Sequence, residues 1–379
     1  MNFRLVALDF ICACLGEDVD PEQNTALRST ARSGHLHWPT VIQIANDHLV
    51  SPALWVALRA RGLTNDLPTD VGEYLSELHR LNSTRNEGLR SQVIEAGRAL
   101  NAIGVVPLLL KGAATLLSNI QDDPGYRVMR DLDLLVPESQ AKVCWHALRS
   151  LGYQPTSVHN GLKIAQAVPR DFERHHHLHP LHRPGDYATV EIHKASLPQP
   201  HGQLLPNEPL LGNATCIEAD GIALLVPAPS DSVLHALVHA LLVDRAHARG
   251  LIPIRVLHDV VKMQRHFGDR VDWDIIRRCF RQVLQEGVWD DTLYLGRRLF
   301  HFTTGAGIHE SLATRLHFTR TRTQVRWPWA DALAARALCF STEDICARYQ
   351  CDRQQLIVNW LRLRFLASIL ARKIIPRSP

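Results

Sequence analysis

The stretch Asp131-Leu132-Asp133-Leu134-Leu135-Val136 alternates polar and apolar residues before the apolar side wins, the pattern of a strand that buries one face. Residues two apart on a strand face the same side, so Asp131 and Asp133 project together while Leu132 and Leu134 enter the core. Two carboxylates roughly 6–7 Å apart on one strand face repel each other unless something cationic lies between them. The usual resolution is a divalent metal held by hard oxygen ligands. A third acid would complete a two-metal arrangement, and the best candidate is Glu191. It lies in Thr189-Val190-Glu191-Ile192-His193, whose clean period-two alternation predicts another strand. There Glu191 shares its face with Thr189 and His193, and Val190 and Ile192 fill the other side.

Upstream, Val105-Val106-Pro107-Leu108-Leu109-Leu110 is a continuous apolar run of the kind a buried strand carries, closed by Lys111-Gly112. A helix is expected over Ala113 to Asn119, beginning at that glycine. A turn-rich loop, Asp122-Asp123-Pro124-Gly125, leads to the acidic strand, and Glu138 to Leu151 reads as a helix that ends at Gly152. A strand that ends in Lys-Gly and feeds a helix presents backbone N–H groups at the positive end of the helix dipole. Glycine lets a phosphate approach the backbone closely, and lysine adds a point charge for its oxygens. A phosphate cradle facing a carboxylate cluster implies metal-assisted phosphoryl or nucleotidyl transfer.

Taken in order, Leu109-Leu110-Lys111-Gly112-Ala113-Ala114, Arg127, Asp131-Leu132-Asp133-Leu134-Leu135-Val136, Leu151-Gly152-Tyr153 and Val190-Glu191-Ile192-His193 closely resemble an uncharacterised nucleotidyltransferase family of the DNA polymerase beta-like superfamily. Asn82, Arg85 and Asn86 upstream, and Leu257-His258-Asp259 and Val271-Asp272-Trp273 downstream, extend the likeness to roughly residues 40–290. The resemblance implies an α+β fold: a polymerase beta-like core, a short mixed sheet with helices, flanked by helical regions at both ends. It implies that Asp131, Asp133 and Glu191 are catalytic and bind Mg²⁺, with Mn²⁺ as the alternative ion. Nucleotide contacts then fall to Lys111, Gly112, Arg127 and His193. The substrate is an NTP whose nucleoside monophosphate passes to an acceptor hydroxyl or phosphate. The acceptor, whether small molecule, peptide or RNA, and the oligomeric state stay open. Lys-Gly stands where the superfamily more commonly has Gly-Ser. That departure keeps a catalytically inactive nucleotide-binding scaffold or sensor as one rival, and a toxin-like tRNA-modifying enzyme is the other.

Around this centre the chain reads as three parts: a helical region over 1–100, the nucleotidyltransferase α/β core over 101–225 and a helical domain over 226–379. Helical spacing marks Val41–Ala45, Pro52–Leu58 and a long helix from Val71 to Gly104; after Pro227-Ala228-Pro229, Ser230 or Asp231 is the expected cap of the next helix. Arg127 either reaches a phosphate or clamps one of the acids. The resemblance places Asp259, one helical turn after Arg255, where related toxin-type nucleotidyltransferases keep an arginine–aspartate pair near the site; the alternative is an i,i+4 surface ion pair. His175, His177 and His179 alternate and would share one strand face, which suits a zinc ion, an acceptor or nucleotide contact, or a hydrated edge. Arg315, Arg320, Arg322 and Arg326 near Trp327 and Trp329 suggest an RNA-tracking patch or a solvated loop. Gln354 to Arg372 reads as a basic amphipathic helix that packs on its own domain or lies on a membrane.

Composition excludes other classes. With 46% hydrophobic and 21% charged residues in 379, the chain is neither disordered nor collagen-like. No stretch reaches the roughly 18 uncharged apolar residues of a membrane helix, and Met1-Asn2-Phe3-Arg4 does not open a secretory signal. The eight cysteines include no CxxC pair, which favours reduced thiols and a cytoplasmic protein. A net charge of +4 does not by itself predict nucleic-acid binding.

Overall fold

The two alternating segments lie side by side at the centre of one sheet. The computed structural model describes residues 2–16, 21–118, 120, 123–156, 158–159, 162–163, 175–283, 285–302, 304, 307, 309–330, 359–361 and 363–364. Helices α1 (Phe3–Leu15), α2 (Pro21–Arg32), α3 (Trp38–Asp47), α4 (Ser51–Ala60) and the 34-residue α5 (Thr69–Ala102) come first. Then follow β1 (Leu108–Leu109), α6 (Lys111–Leu117), β2 (Asp131–Leu135) and α7 (Ala141–Ser150). Short strands β3 (Gln154–Pro155), β4 (Val158–His159), β5 (Leu162–Lys163) and β6 (Leu181–His182) precede β7 (Thr189–His193). After α8 (Asn207–Gly212) come the hairpin β8 (Thr215–Ala219) and β9 (Ile222–Val226), then α9 (Pro229–Val238), α10 (Ala246–Arg249) and α11 (Ile254–Phe267). Helices α12 (Trp273–Gln282), α13 (Glu286–Phe300) and α14 (Leu312–Arg326) follow among the described residues.

The chain is mixed α+β, mostly helical around a seven-stranded mixed sheet ordered β3-β6-β7-β2-β1-β9-β8. β2 runs parallel to β7 and antiparallel to β1, which is parallel to β9. In the β2–β7 register Asp131 faces Thr189, Asp133 faces Glu191 and Leu135 faces His193. Because side chains alternate along both strands, this register puts the apolar rows on one face and the acids on the other.

Each face has its own core. Leu132, Leu134, Val190 and Ile192 are fully buried with Leu89, Val93 and Leu100 of α5 and Leu148 of α7. On the acidic side, Leu108, Leu110 and Leu135 join a cluster drawn from both chain ends, including Leu8, Leu54, Val238, Leu257 and Trp289. Burying each such side chain is worth about 1.5–3 kcal/mol. Helices far apart in sequence are thereby pulled over the acidic face, and the acids come to sit in a cleft.

Local departures from the expected elements have simple causes. The apolar run 105–110 contributes only Leu108–Leu109 to the sheet, and α6 takes in Lys111 and Gly112 as its first residues. The hairpin 215–226 adds two strands beyond those expected from the sequence. Ala228, not Ser230 or Asp231, is the cap of α9, because Pro229 suits the first helical position, where its missing N–H is not needed. Ser230 Oγ instead accepts the Asp272 N–H at 2.8 Å. The arginines of the patch lie on or at the end of helix α14: Arg322 pairs with Asp9 and Arg320 donates to the Ala248 carbonyl at 2.7 Å, while Arg315, Arg326, Trp327 and Trp329 are exposed. The amphipathic helix expected over 354–372 lies outside the described residues except for 359–361 and 363–364. Among the described residues, no helix is long and apolar enough to cross a membrane.

Two buried histidines tie helices to their neighbours in the neutral form. His258 Nδ1–H donates to the Leu15 carbonyl at 2.8 Å and His235 Nε2–H to the Ser196 carbonyl at 3.0 Å. Burial pulls them from 6.5 to about 4 and about 3 respectively. As pH falls below about 6.5 the unfolded chain takes up protons that the folded chain refuses, so stability drops until the folded-state values are passed. Each histidine contributes about 1.4 kcal/mol per pH unit to that slope. Urea titrations between pH 6.5 and 4 should show a falling midpoint, with a shallower fall in His258→Gln. Equal slopes in the two proteins would refute this role.

Candidate active site

Lys111 reaches the acidic face from the start of α6. Its φ of +49° is left-handed, a conformation that costs a residue with a side chain of order 1–3 kcal/mol and is held only by its surroundings. The turn brings Lys111 Nζ within 3.3 Å of Asp133 Oδ1, and His193 Nε2 lies 2.7 Å from the same oxygen. Glu191 Oε2 is 3.6 Å from His193 Nε2 and 3.8 Å from His177 Nε2. Ligand atoms of Asp133, Glu191 and His193 all lie within 4.8 Å of one another. The ammonium therefore sits directly on Asp133 rather than across from it.

The electrostatics follow from this geometry. Burial alone would raise the Asp133 carboxyl, but Lys111 and the hydrogen-bonded His193 hold it far below the usual carboxylate range. Asp131, half-buried at the cavity wall, is shifted upward, first by the charge of Asp133 and then by burial, with Glu191 adding to both. For Lys111 and His193 burial works against the charged form, yet the surrounding carboxylates outweigh it and hold both above their ordinary values.

Arg127 neither clamps Asp131 nor Asp133. Its Nε lies 3.1 Å from Asp259 Oδ2 and its other end binds the same carboxylate, in a pair about nine-tenths buried. Asp259 thus belongs to a buried arginine–aspartate pair, and the surface pair with Arg255 does not form: Arg255 Nη1 instead approaches the Val128 carbonyl. The loop that carries Arg127 is fastened from α5. Asn82 donates to the carbonyls of Gly125 and Arg127, and Asn86 to those of Pro124 and Arg127, at 2.7–3.0 Å. The sequence motif alone assigns neither asparagine a role. Their i,i+4 spacing on a helix, with burial, is the signal that identifies them.

Gly112 is required for a different approach than the one expected. A Cβ there would meet Arg127 Nη1 at 2.3 Å and Met129 Cγ at 2.6 Å, so the chain's own side chains occupy that space. The histidine run also differs. The backbone bends at 175–176 and only His177 bridges to His193, so no strand places alternate imidazoles on one face. His175, His176 and His177 cluster instead. The His179 carbonyl accepts from Trp145 Nε1 at 2.9 Å, beside a separate cavity.

A cavity of about 540 Å³ opens over these groups. Lys111, Gly112, Arg127, Asp131 and Glu191 line one side, and α9, the turn after it and α11 supply His235, His239, Val243, Val256 and Met263 opposite. Asp133 and His193 lie deeper, each 1% exposed. The arrangement offers hard oxygens for a divalent cation, fixed positive charge for phosphates and an apolar wall for a flat ring.

A family model described as an uncharacterised nucleotidyltransferase matches residues 34–301. A search of curated proteins returns no match. Among solved structures, an antigenic nucleotidyltransferase-like protein from Paracoccidioides brasiliensis is similar at 15% identity, over 57% of this chain and 98% of that one, with a TM-score of 0.32.

Proposed function

The chain belongs to the uncharacterised nucleotidyltransferase family, and from that premise we propose a divalent-metal-dependent transfer of a nucleoside monophosphate from an NTP to an acceptor hydroxyl or phosphate. The observation that carries this reading is the meeting of Asp133 and Glu191 in register on adjacent parallel strands, with Lys111 on the same site. In this reading residues 101–225 are a polymerase beta-like core. The regions 1–100 and 226–379, whose helices share one apolar cluster, form the acceptor side.

The residues fit a hard divalent ion. The charge of Asp133 raises the proton affinity of Asp131 on the same strand, with Glu191 of the neighbouring strand adding to it, and a cation among them relieves that repulsion. Asp131, Asp133 and Glu191 would hold Mg²⁺ or Mn²⁺, which supplies charge for the phosphate oxygens and lowers the acceptor's proton affinity. Lys111 offsets the charge of the β- and γ-phosphates. Arg127, immobilised by Asp259, borders the cavity as one member of an ion pair and can offer an N–H to a phosphate. The acceptor oxygen bonds to the α-phosphorus as the bond to pyrophosphate breaks, and Glu191 at the cavity wall takes the acceptor's proton. His193, buried against Asp133 and 3.6 Å from Glu191, orients both.

The test incubates the protein with each α-labelled NTP, Mg²⁺ or Mn²⁺, and candidate acceptors that include the protein itself. Label transfer with pyrophosphate release is expected, and chelation of the metal should stop it. Lys111→Ala should raise the KM for NTP by about 10-fold or more, as one lost charge-assisted contact of about 1.5–3 kcal/mol requires. An unchanged KM in that variant would remove Lys111 from the phosphate site. Metal-dependent NTP binding without turnover on any acceptor would favour the scaffold or sensor reading.

A further inference from the structure

Away from the cavity, three helices bring together a second set of metal-ligating groups. His247 comes from α10, Asp291 from α13 and His317 from α14, and their ligand atoms lie within 4.8 Å of one another. His247 Nε2 is 2.9 Å from Asp291 Oδ2, and His317 Nδ1 is 3.7 Å from that same oxygen. The two imidazoles stack with centroids 4.2 Å apart and planes 7° from parallel. His317 is more than nine-tenths buried, and its Nε2 has no hydrogen-bond partner. Burial and the neighbouring His247 push its protonation down to about 4, so the ring is neutral and able to ligate at physiological pH.

We propose that His247, Asp291 and His317 form a second metal site, for a first-row transition ion of the zinc type, that clamps α10 between α13 and α14. Two imidazoles and one carboxylate match the nitrogen and oxygen ligands of Zn²⁺, whereas Mg²⁺ and Ca²⁺ take oxygen ligands throughout. Three protein ligands leave a fourth position for water. Ligation of both imidazoles to one ion opens the rings out of their parallel stack. α14 already grips α10 by backbone contacts: Arg320 donates to the Ala248 carbonyl and Gln324 to that of Arg249. α10 in turn follows His239, Ala240, Val243 and Asp244, which line the cavity, so the ion would brace the back of that wall. The site is independent of the catalytic reading, since none of its residues lines the cavity.

The test uses the full chain without a histidine tag, stripped with chelator, dialysed against Zn²⁺ and assayed for bound metal. A doubly substituted Asp131→Asn, Glu191→Gln protein serves as control for the acidic face. Wild type and this control should retain the same tight equivalent of zinc, and zinc should raise the Tm of both. His317→Gln and Asp291→Asn should lose the equivalent and the Tm response while keeping the wild-type circular dichroism spectrum. Co²⁺ should give tetrahedral absorption bands in the control that vanish in His317→Gln. Zinc retained by His317→Gln and Asp291→Asn, zinc lost from the control, or no zinc retained by wild type would each overturn the proposal.

Discussion

Asp133→Asn is expected to lower nucleotidyl transfer by about 10³-fold or more, as removal of several kcal/mol of transition-state charge stabilisation requires. The substitution keeps the size of the side chain and an oxygen for the His193 hydrogen bond, but it removes the charge on which both Lys111 and His193 converge. A neutral side chain holds a divalent ion far less well, and Lys111 loses the partner that sets its position. Because Lys111 keeps access to the cavity, its ammonium can turn toward water, so the folding cost should be smaller than the catalytic one. Asp131→Asn provides the companion measurement. Asp131 lies at the cavity wall, so the same loss of transfer is expected with little change in stability. The readouts are label transferred per protein and the urea midpoint of each variant. Equal label from wild type and Asp133→Asn would show that the acidic face is not where transfer occurs.

The second large effect concerns stability. Asp259→Ala should destabilise the fold by about 3–5 kcal/mol, the cost of leaving one member of a buried ion pair without its partner. Arg127 is buried at the junction of the 124–127 loop, α6 and α11, where burial disfavours its charge and Asp259 restores it. Without Asp259, a buried guanidinium beside Met129 is left without its ion-pair partner. Replacing both residues, as in Arg127→Met with Asp259→Leu, should recover most of the loss, because the pair itself contributes little net stability. A double-mutant cycle in urea measures the coupling. A cost below about 1 kcal/mol for Asp259→Ala would place the pair among solvated surface bridges.

The two strands that carry the acids were legible because their chemistry and their packing obey the same period. Leu132, Leu134, Val190 and Ile192 need one buried face, and that need alone assigns Asp131, Asp133 and Glu191 to the other. The hairpin 215–226 was not legible in the same way. Its outer strand is largely exposed, so Thr215 to Ala219 has no buried row to announce it. The histidine run misled for the converse reason. Alternation in the sequence implies a shared face only if the backbone stays extended, and here it bends at residues 175–176.

Side-chain period and the residue types in the motifs thus determined which groups face the cleft, which elements carry them and the family to which the chain belongs. Tertiary structure alone decided their partners. Arg127 meets Asp259 across 132 positions, and Lys111 folds back onto Asp133 instead of facing it. His247, Asp291 and His317 meet only where three helices cross. Periodicity is a property of neighbouring residues and is written along the chain. The partner of a buried charge is chosen by whichever opposite charge the packing of distant helices brings within reach, and no local pattern encodes that.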